Sequence, residues 1–390
     1  MILITLSACN ESTSQMSNIS QDNTNSLQQI QTDIGEIYTS GSKEKHVSTM
    51  LSSGIEVSAI VEISDDINIE QLAIYDANIE KQDYELLKQL LFANKEIEKE
   101  ESSEMADART DALFHYCIAS DGSSLAYTGA GFTYDIGQYS LIQNILHSKE
   151  INANQFIDNR DLNFSTQENA KQDVENIIKH LNIEVEKKPI CYTLSFESLQ
   201  SICEKLNKTR RDVFGEDSPF FTPYTCNITD ACYIFIYQVT TEGLPISAYP
   251  NGILGDGSWT PGTFLLCVYS ENGIVEMELP YSLQMTGQAS PPAQGLNINH
   301  LLEKIDNKFN SMILNGDYTI TQIEFEYVPM PINGSRSLFK LIPAWRTSVF
   351  HTYQFADEKS NGEIHSVEEE FDVVFNAITG EEILNSYGSI

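Results

Sequence analysis

From residue 232 onward the chain is a succession of apolar or alternating runs of strand length, each closed by a turn signal. Runs at 232–240 and 244–249 are joined by a short connection, as are those at 263–269 and 274–279, with residues 250–262 between the two pairs. Strands joined that closely pair antiparallel, because a parallel return needs a crossover of about a dozen residues or more. Glu271-Asn272-Gly273, between the last two runs, is a hairpin signal: Asn-Gly tolerates the positive φ that tight hairpin turns demand. Three more strands are read at 319–328 (burying Ile323, Phe325 and Tyr327), 341–355 (Trp345, Val349 and Tyr353 inward) and 371–377.

Helix-period stripes alternate with these runs. Residues 83–94 place Tyr84, Leu87 and Leu91 on one stripe, followed by a charged run to Glu104. Ser165-Thr166-Gln167-Glu168 reads as a capping box opening a helix with Ala170, Val174, Ile177, Ile178 and Leu181 inward. Residues 195–206 give a helix carrying Phe196, Leu199, Cys203 and Leu206, and 298–313 one carrying Ile298, Leu301, Leu302, Ile305, Phe309 and Met312. Earlier, 55–63 alternates, with Ile55, Val57, Ala59, Val61 and Ile63 on one face, and 114–117 and 124–133 suggest strands.

The expected class is therefore α+β, built of helix-plus-antiparallel-sheet units. An N-terminal α+β unit is expected over 46–160, a second unit over 161–286 and a third over 296–390. Residues 287–295, with Pro291-Pro292, read as a linker. The order helix, then antiparallel strands, recurs from about 165 and from about 297, a repeat of architecture with slight identity.

The first residues carry an address. Leu6-Ser7-Ala8-Cys9 looks like a lipobox, an aliphatic residue and two small ones before a cysteine that receives diacylglycerol. Residues 1–8 then read as a truncated lipoprotein signal: the apolar stretch is short and lacks a basic n-region, which places the true start upstream. Residues 9–45 are rich in Asn, Ser, Thr and Gln and poor in apolar residues, and read as a disordered tether. The expected location is the extracytoplasmic face of the cell membrane, with the diacylglycerol on Cys9 as the membrane contact. No stretch reaches the roughly 18 apolar residues of a membrane-spanning helix.

Charge limits the partners. Against 56 acidic residues stand 23 basic ones, for a net charge of −33, and no basic cluster exceeds the trio Lys208, Arg210 and Arg211. Such a chain repels nucleic acid, so none is expected as a partner. Six cysteines remain beside Cys9: Cys117, Cys191, Cys203, Cys226, Cys232 and Cys267. Outside the cytoplasm they allow up to three disulfides, with Cys226–Cys232 as the local pair. The preferred reading is buried thiols, because Cys191, Cys232 and Cys267 lie inside apolar runs. Their spacing has no CxxC and suits no metal.

Two signatures resemble known modules. Leu341-Ile342-Pro343-Ala344-Trp345 opens a long strand, and Phe375-Asn376-Ala377-Ile378-Thr379-Gly380-Glu381 is a closing strand and turn. Gly243-Leu244-Pro245-Ile246 and Asn272-Gly273-Ile274-Val275 look like degenerate versions of the same elements. Together they resemble PepSY-type modules and YycH/YycI-like extracytoplasmic regulators of Firmicutes, over roughly 160–390. The layout is also similar to that of clostridial lipoproteins. The resemblance implies PepSY/YycI-like repeats and a regulatory or binding module, with no catalytic residue, cofactor or metal to carry over.

Motifs for chemistry are weak. There is no HExxH, GxSxG, P-loop or GxGxxG. Asp357-Glu358-Lys359-Ser360-Asn361-Gly362, followed by Ile364 and Glu368, has EF-hand spacing, but Lys359 occupies a ligand position and the flanks read as strands. His351 and His365 flank the same loop without a third ligand. The Gly-rich turn at 252–259 leaves Trp259, with Tyr249, as a weak ligand-binding pair. The leading expectation is a non-enzymatic, lipid-anchored module that binds an envelope protein or peptide. The alternatives are a surface solute- or carbohydrate-binding lipoprotein, stacking its ligand on Trp259 and Tyr249, and an envelope hydrolase with a cryptic site.

Overall fold

A computed structural model describes residues 44–383, except 65–66, 94, 104–113, 138, 148–150, 152, 159, 187, 216–217, 219–221, 249–261, 313, 334, 336 and 358–362. The expected signal, Cys9, most of the tether, Tyr249 and Trp259 lie outside the described residues. The chain is α+β, and strand dominates. It divides into two compact units, each assembled from separated stretches: 1–62, 296–323 and 347–372 in one, 63–295, 324–346 and 373–390 in the other.

The second unit is built on an antiparallel sheet of eight strands among the described residues. From one edge come β4 (Ile97–Ser103), β5 (Phe114–Ala119), β6 (Ser124–Tyr127) and β7 (Phe132–Asp135). From the other edge come β8 (Ile190–Leu194), β9 (Cys232–Gln238), β12 (Phe264–Ser270) and β13 (Gly273–Leu279), and the halves meet at β7 and β13. In the meeting pair Phe132 lies opposite Leu279 and Asp135 opposite Glu276. Each half is opened by a helix, α1 (Tyr84–Leu91) before β4 and α3 (Gln167–His180) before β8.

Both of these helices pack on one face. Leu87 and Leu91 of α1 and Ala170, Val174 and Ile178 of α3 share a core cluster with Cys117, Tyr134, Phe235, Cys267 and Met277 of the sheet. The other face takes α2 (Tyr139–His147) and α4 (Phe196–Phe214), whose Leu141, Ile142, Ile145, Leu199 and Leu206 cover Ile234, Leu266, Val268 and Val275. Fully burying one such aliphatic side chain is worth about 1.5–3 kcal/mol. The contiguous division at 160/161 therefore differs from the structure: β7 and β13 lie on opposite sides of that boundary and pair. Each half alone would leave its inner strand an unpaired edge, and the pairing satisfies those backbone groups.

The helix starts follow local chemistry. Asp83, Thr166, Ser195 and Asn297 are N-caps, accepting from the backbone N–H of Leu86, Asn169, Ser198 and His300 at 3.0–3.2 Å. At 165–168 the cap is Thr166, one residue later than the capping box expected from Ser165, and Glu168 falls in the first turn. The β12–β13 hairpin turns on Glu271 and Asn272, and Gly273 supplies the positive φ (84°) as the first residue of β13. The turn residues are thus Glu271 and Asn272 rather than Asn272 and Gly273, and the register shift of the pair falls farther along, between Val268 and Tyr269.

Further strands of the second unit are β3 (Tyr75–Ile79), β10 (Thr240–Thr241), β11 (Leu244–Pro245) and β14 (Leu283–Gln288). β14 pairs with β3. Ala293 bridges Leu72, so the segment read as a linker is tied down by backbone hydrogen bonds. Three long strands, β15 (Asp317–Pro331), β16 (Leu338–Asp357) and β17 (Glu363–Asn376), give one segment to each unit. In the second unit Trp345 is fully buried and meets Phe325 edge-on at 5.3 Å.

The first unit joins the hairpin of β1 (Glu44–Met50) and β2 (Glu56–Glu62) to the remaining segments of those strands, with α5 (Ile298–Asn310). Glu44 and Lys45, placed in the tether by sequence, belong to β1. Val57, Ala59 and Val61 are buried, as are Ile298, Leu301, Leu302, Ile305 and Phe309, while Met312 is exposed. Asp306 of α5 accepts from Ser52 Oγ at 2.6 Å and from the Ser53 N–H at 2.8 Å, tying the β1–β2 turn to the helix.

Candidate functional site

The α2/α4 face of the eight-stranded sheet holds two small hollows, and α4 explains both. Its apolar stripe is Leu199, Ile202, Cys203 and Leu206. One turn further that face carries Asn207 and Arg210, which are polar, so the helix overhangs the core there. Gly215, with φ of 80°, caps α4, and the chain returns through residues 222–231 to the start of β9. This strap closes the overhang.

Tyr224 is where the strap is gripped. Asn207 Oδ1 accepts from the Tyr224 N–H at 2.7 Å, and Asn207 Nδ2 donates to the Tyr224 carbonyl at 2.8 Å. Asn144 of α2 donates to the Tyr224 hydroxyl at 2.9 Å, and the Arg210 guanidinium stands 4.9 Å from the centre of its ring. The strap also closes on itself, the Asn227 N–H donating to Asp230 at 2.6 Å.

The larger hollow, about 360 Å³, is walled by Leu141, Arg210, Thr222, Tyr224, Thr225 and Asp230. The smaller, about 160 Å³, lies among Ile142, Leu199, Asp230, Cys232, Val268 and Val275. Arg210 Nε is buried and meets no hydrogen-bond acceptor among the described residues. A cation beside an aromatic ring in a polar recess is suited to an anionic group of modest size.

The same sheet carries a carboxyl cluster on β7 and β13. Glu276 of β13 is fully buried, opposite Asp135 of β7, and Glu278 accepts from Gln143 Nε2 of α2 at 3.2 Å. Burial, and then the charges of Asp135 and Glu278, push the Glu276 carboxyl up to about 8. Burial raises Glu278 as well. Glu276 is thus mostly protonated at neutral pH, the state that a buried carboxyl adopts when ionisation would cost more than neutralisation.

The other residues singled out by sequence fall as follows. Cys9, Tyr249 and Trp259 lie outside the described residues. The loop with EF-hand spacing is flanked by β16 and β17, both strands. His351 has a local role: its Nε2 is 2.6 Å from the Asn315 carbonyl, and its ring stacks at 3.9 Å on Tyr318. Cys226 is half-buried and packs against the core cluster that contains both Cys203 and Cys232. Cys232 begins β9 and is buried in that cluster, lining the smaller hollow with Thr229 and Asp230 of the strap. No group of three or more His, Cys, Asp or Glu among the described residues is arranged to hold a metal ion.

Sequence reading missed Arg210, Tyr224 and Glu276 as site residues. Arg210 was visible only as part of a basic trio, Tyr224 as one of eighteen tyrosines, and Glu276 as one of 56 acids. None has a local signal, because the site is made by chain return and strand pairing.

Comparison with known proteins gives a fold. No family model matches the chain, and no curated protein matches it. A crystal structure of an uncharacterized protein from Eubacterium rectale ATCC 33656 is similar with a TM-score of 0.68 at 14% identity. The similarity covers 93% of this chain and 99% of that one, so the two share an architecture along nearly their whole lengths.

Proposed function

We propose that the chain is a lipid-anchored extracytoplasmic protein that binds a protein or peptide of the cell envelope without transforming it. The carrying observation is the succession of Leu6-Ser7-Ala8-Cys9 and a polar stretch ahead of a folded body that begins at β1. A lipid on Cys9 holds the body at the membrane, and the polar stretch gives it reach. The likeness of 160–390 to PepSY-type and YycH/YycI-like modules supports a binding or regulatory role over a catalytic one.

The edge strand β4 suggests the partner's chemistry. It stands at the end of the sheet order, and Glu98, Glu100 and Glu101 outnumber Lys99 along its exposed length. An extended cationic segment added to that edge would gain main-chain hydrogen bonds and charge complementarity together. A second reading, capture of a small anionic solute, is favoured by Arg210 and Tyr224 in the 360 Å³ hollow. That volume is at the low end of the range of roughly 300–1,000 Å³ usual for small-molecule sites.

Cell fractionation of the full-length chain tests the proposal. The wild type is expected in the membrane fraction, accessible to protease added outside, and Cys9→Ala is expected in the soluble extracytoplasmic fraction or medium. Wild type and variant together in the cytosol would overturn it.

A further inference from the structure

We propose that Cys203 and Cys226 form a disulfide that staples the strap at 222–231 to α4. The placement follows from contacts that do not involve sulfur. Cys203, Asn207 and Arg210 lie along one face of α4, at spacings of four and three residues. Asn207 holds both sides of the Tyr224 peptide, and Arg210 covers the Tyr224 ring. One helical turn back from Asn207 to Cys203 is about 6 Å. Two residues onward from Tyr224 to Cys226 span at most about 7 Å. The strap runs back along α4, from Tyr224 held at Asn207 to Thr229 and Asp230 beside Leu199 at the smaller hollow, and so delivers Cys226 beside Cys203, where it packs against the same core cluster.

The remaining described cysteines are placed otherwise. Cys117 and Cys267 are buried under the opposite face of the sheet, and Cys191 packs there too. Cys232 shares the Cys203 face but is fixed at the start of β9. Burial, followed by the neighbouring Cys226, pushes the Cys203 thiol up to about 12. Cys203 is nearly fully buried and Cys226 half-buried, which divides the roles.

The oxidant is a disulfide donor, either a low-molecular-weight disulfide or an oxidised dithiol oxidoreductase. The Cys226 thiolate attacks one donor sulfur, forming a mixed disulfide and releasing one donor thiol. Cys203 then gives up its proton and attacks the Cys226 sulfur, releasing the second donor thiol. Two protein thiols and one donor disulfide become one protein disulfide and two donor thiols. In the cell the supply of such a donor rests on the extracytoplasmic address proposed above. The bond closes a loop of roughly two dozen residues and fixes the wall of the larger hollow formed by Thr222, Tyr224 and Thr225.

Incubating the purified full-length chain with glutathione disulfide, alkylating the remaining thiols and mapping peptides tests the pair. The expected product joins the peptides carrying Cys203 and Cys226, with the other described cysteines alkylated, and its thermal midpoint rises by several degrees over the reduced chain. In Cys203→Ser, Cys226 should stop as its glutathione adduct; in Cys226→Ser, at the half-buried position of the pair, the midpoint shift should vanish. A Cys226–Cys232 or Cys203–Cys232 link, or both Cys203 and Cys226 fully alkylated at equilibrium, would overturn the proposal. Because the experiment is done on isolated protein, its failure leaves the membrane address standing, and misplacement in cells leaves the pair standing.

Discussion

Glu276 is a carboxyl that the fold keeps protonated, and this makes stability depend on pH in a definite direction. Its folded pKa is raised to about 8, by burial first and by Asp135 and Glu278 after it. An unfolded glutamate ionises near 4.3, as an approximate reference. Between those values the folded state retains a proton that the unfolded state has lost. The associated stability is fully present below the unfolded pKa and is lost as pH rises through about 8. The slope is at most about 1.4 kcal/mol per pH unit. Glu276→Gln removes the titration, so urea unfolding should show the variant gaining on the wild type from pH 5 to pH 9. Parallel profiles for the two proteins would contradict this. Arg346 and Glu326 are the opposite case, a buried pair at 2.6 Å with side chains 3% exposed, in which Arg346 also donates to Ser247 at 2.7 Å. Arg346→Met strands the carboxylate and should cost about 3–5 kcal/mol, whereas pairing it with Glu326→Leu should recover most of the loss. A double-mutant cycle by chemical denaturation measures both.

Elements with a complete local signal were legible in the sequence. The helices at α1, α3, α4 and α5 each have a capping residue followed by an apolar stripe, so start and buried face could be read together. Thr166→Ala tests one start directly: losing the 3.2 Å bond to the Asn169 N–H should cost about 1 kcal/mol, seen as a lowered urea midpoint with unchanged slope. Strands hidden by charge were not legible. β4 was read as a charged run because an edge strand exposed along most of its length has no apolar alternation to display. The first half of β17 is rich in glutamate and was hidden in the same way. The end of α4 also ran past its reading at Leu206, since the stripe stops where Asn207 and Arg210 turn to the strap.

At the scale of the whole chain, class was legible and assembly was not. Antiparallel pairing within the hairpins followed from short connections, but the second partner of β13 is β7, more than a hundred residues earlier, and nothing in either strand announces the other. The two compact units are woven from separated stretches for the same reason, with β15, β16 and β17 long enough to serve both. The candidate cleft inherits this: Tyr224 matters only because the strap returns over Asn207 and Arg210. The acidity of the chain, −33 overall, is a property of the sequence alone and favours cationic partners over nucleic acid or anionic lipid. No described helix is long and apolar enough to cross a bilayer, and the membrane attachment proposed above rests on Cys9. Feeding cells an alkyne fatty acid and reading the label and the N-terminus of the isolated protein tests that attachment most directly. The account predicts a labelled chain beginning at a modified Cys9, with label lost in Cys9→Ala; an unlabelled chain that retains the residues before Cys9 would contradict it.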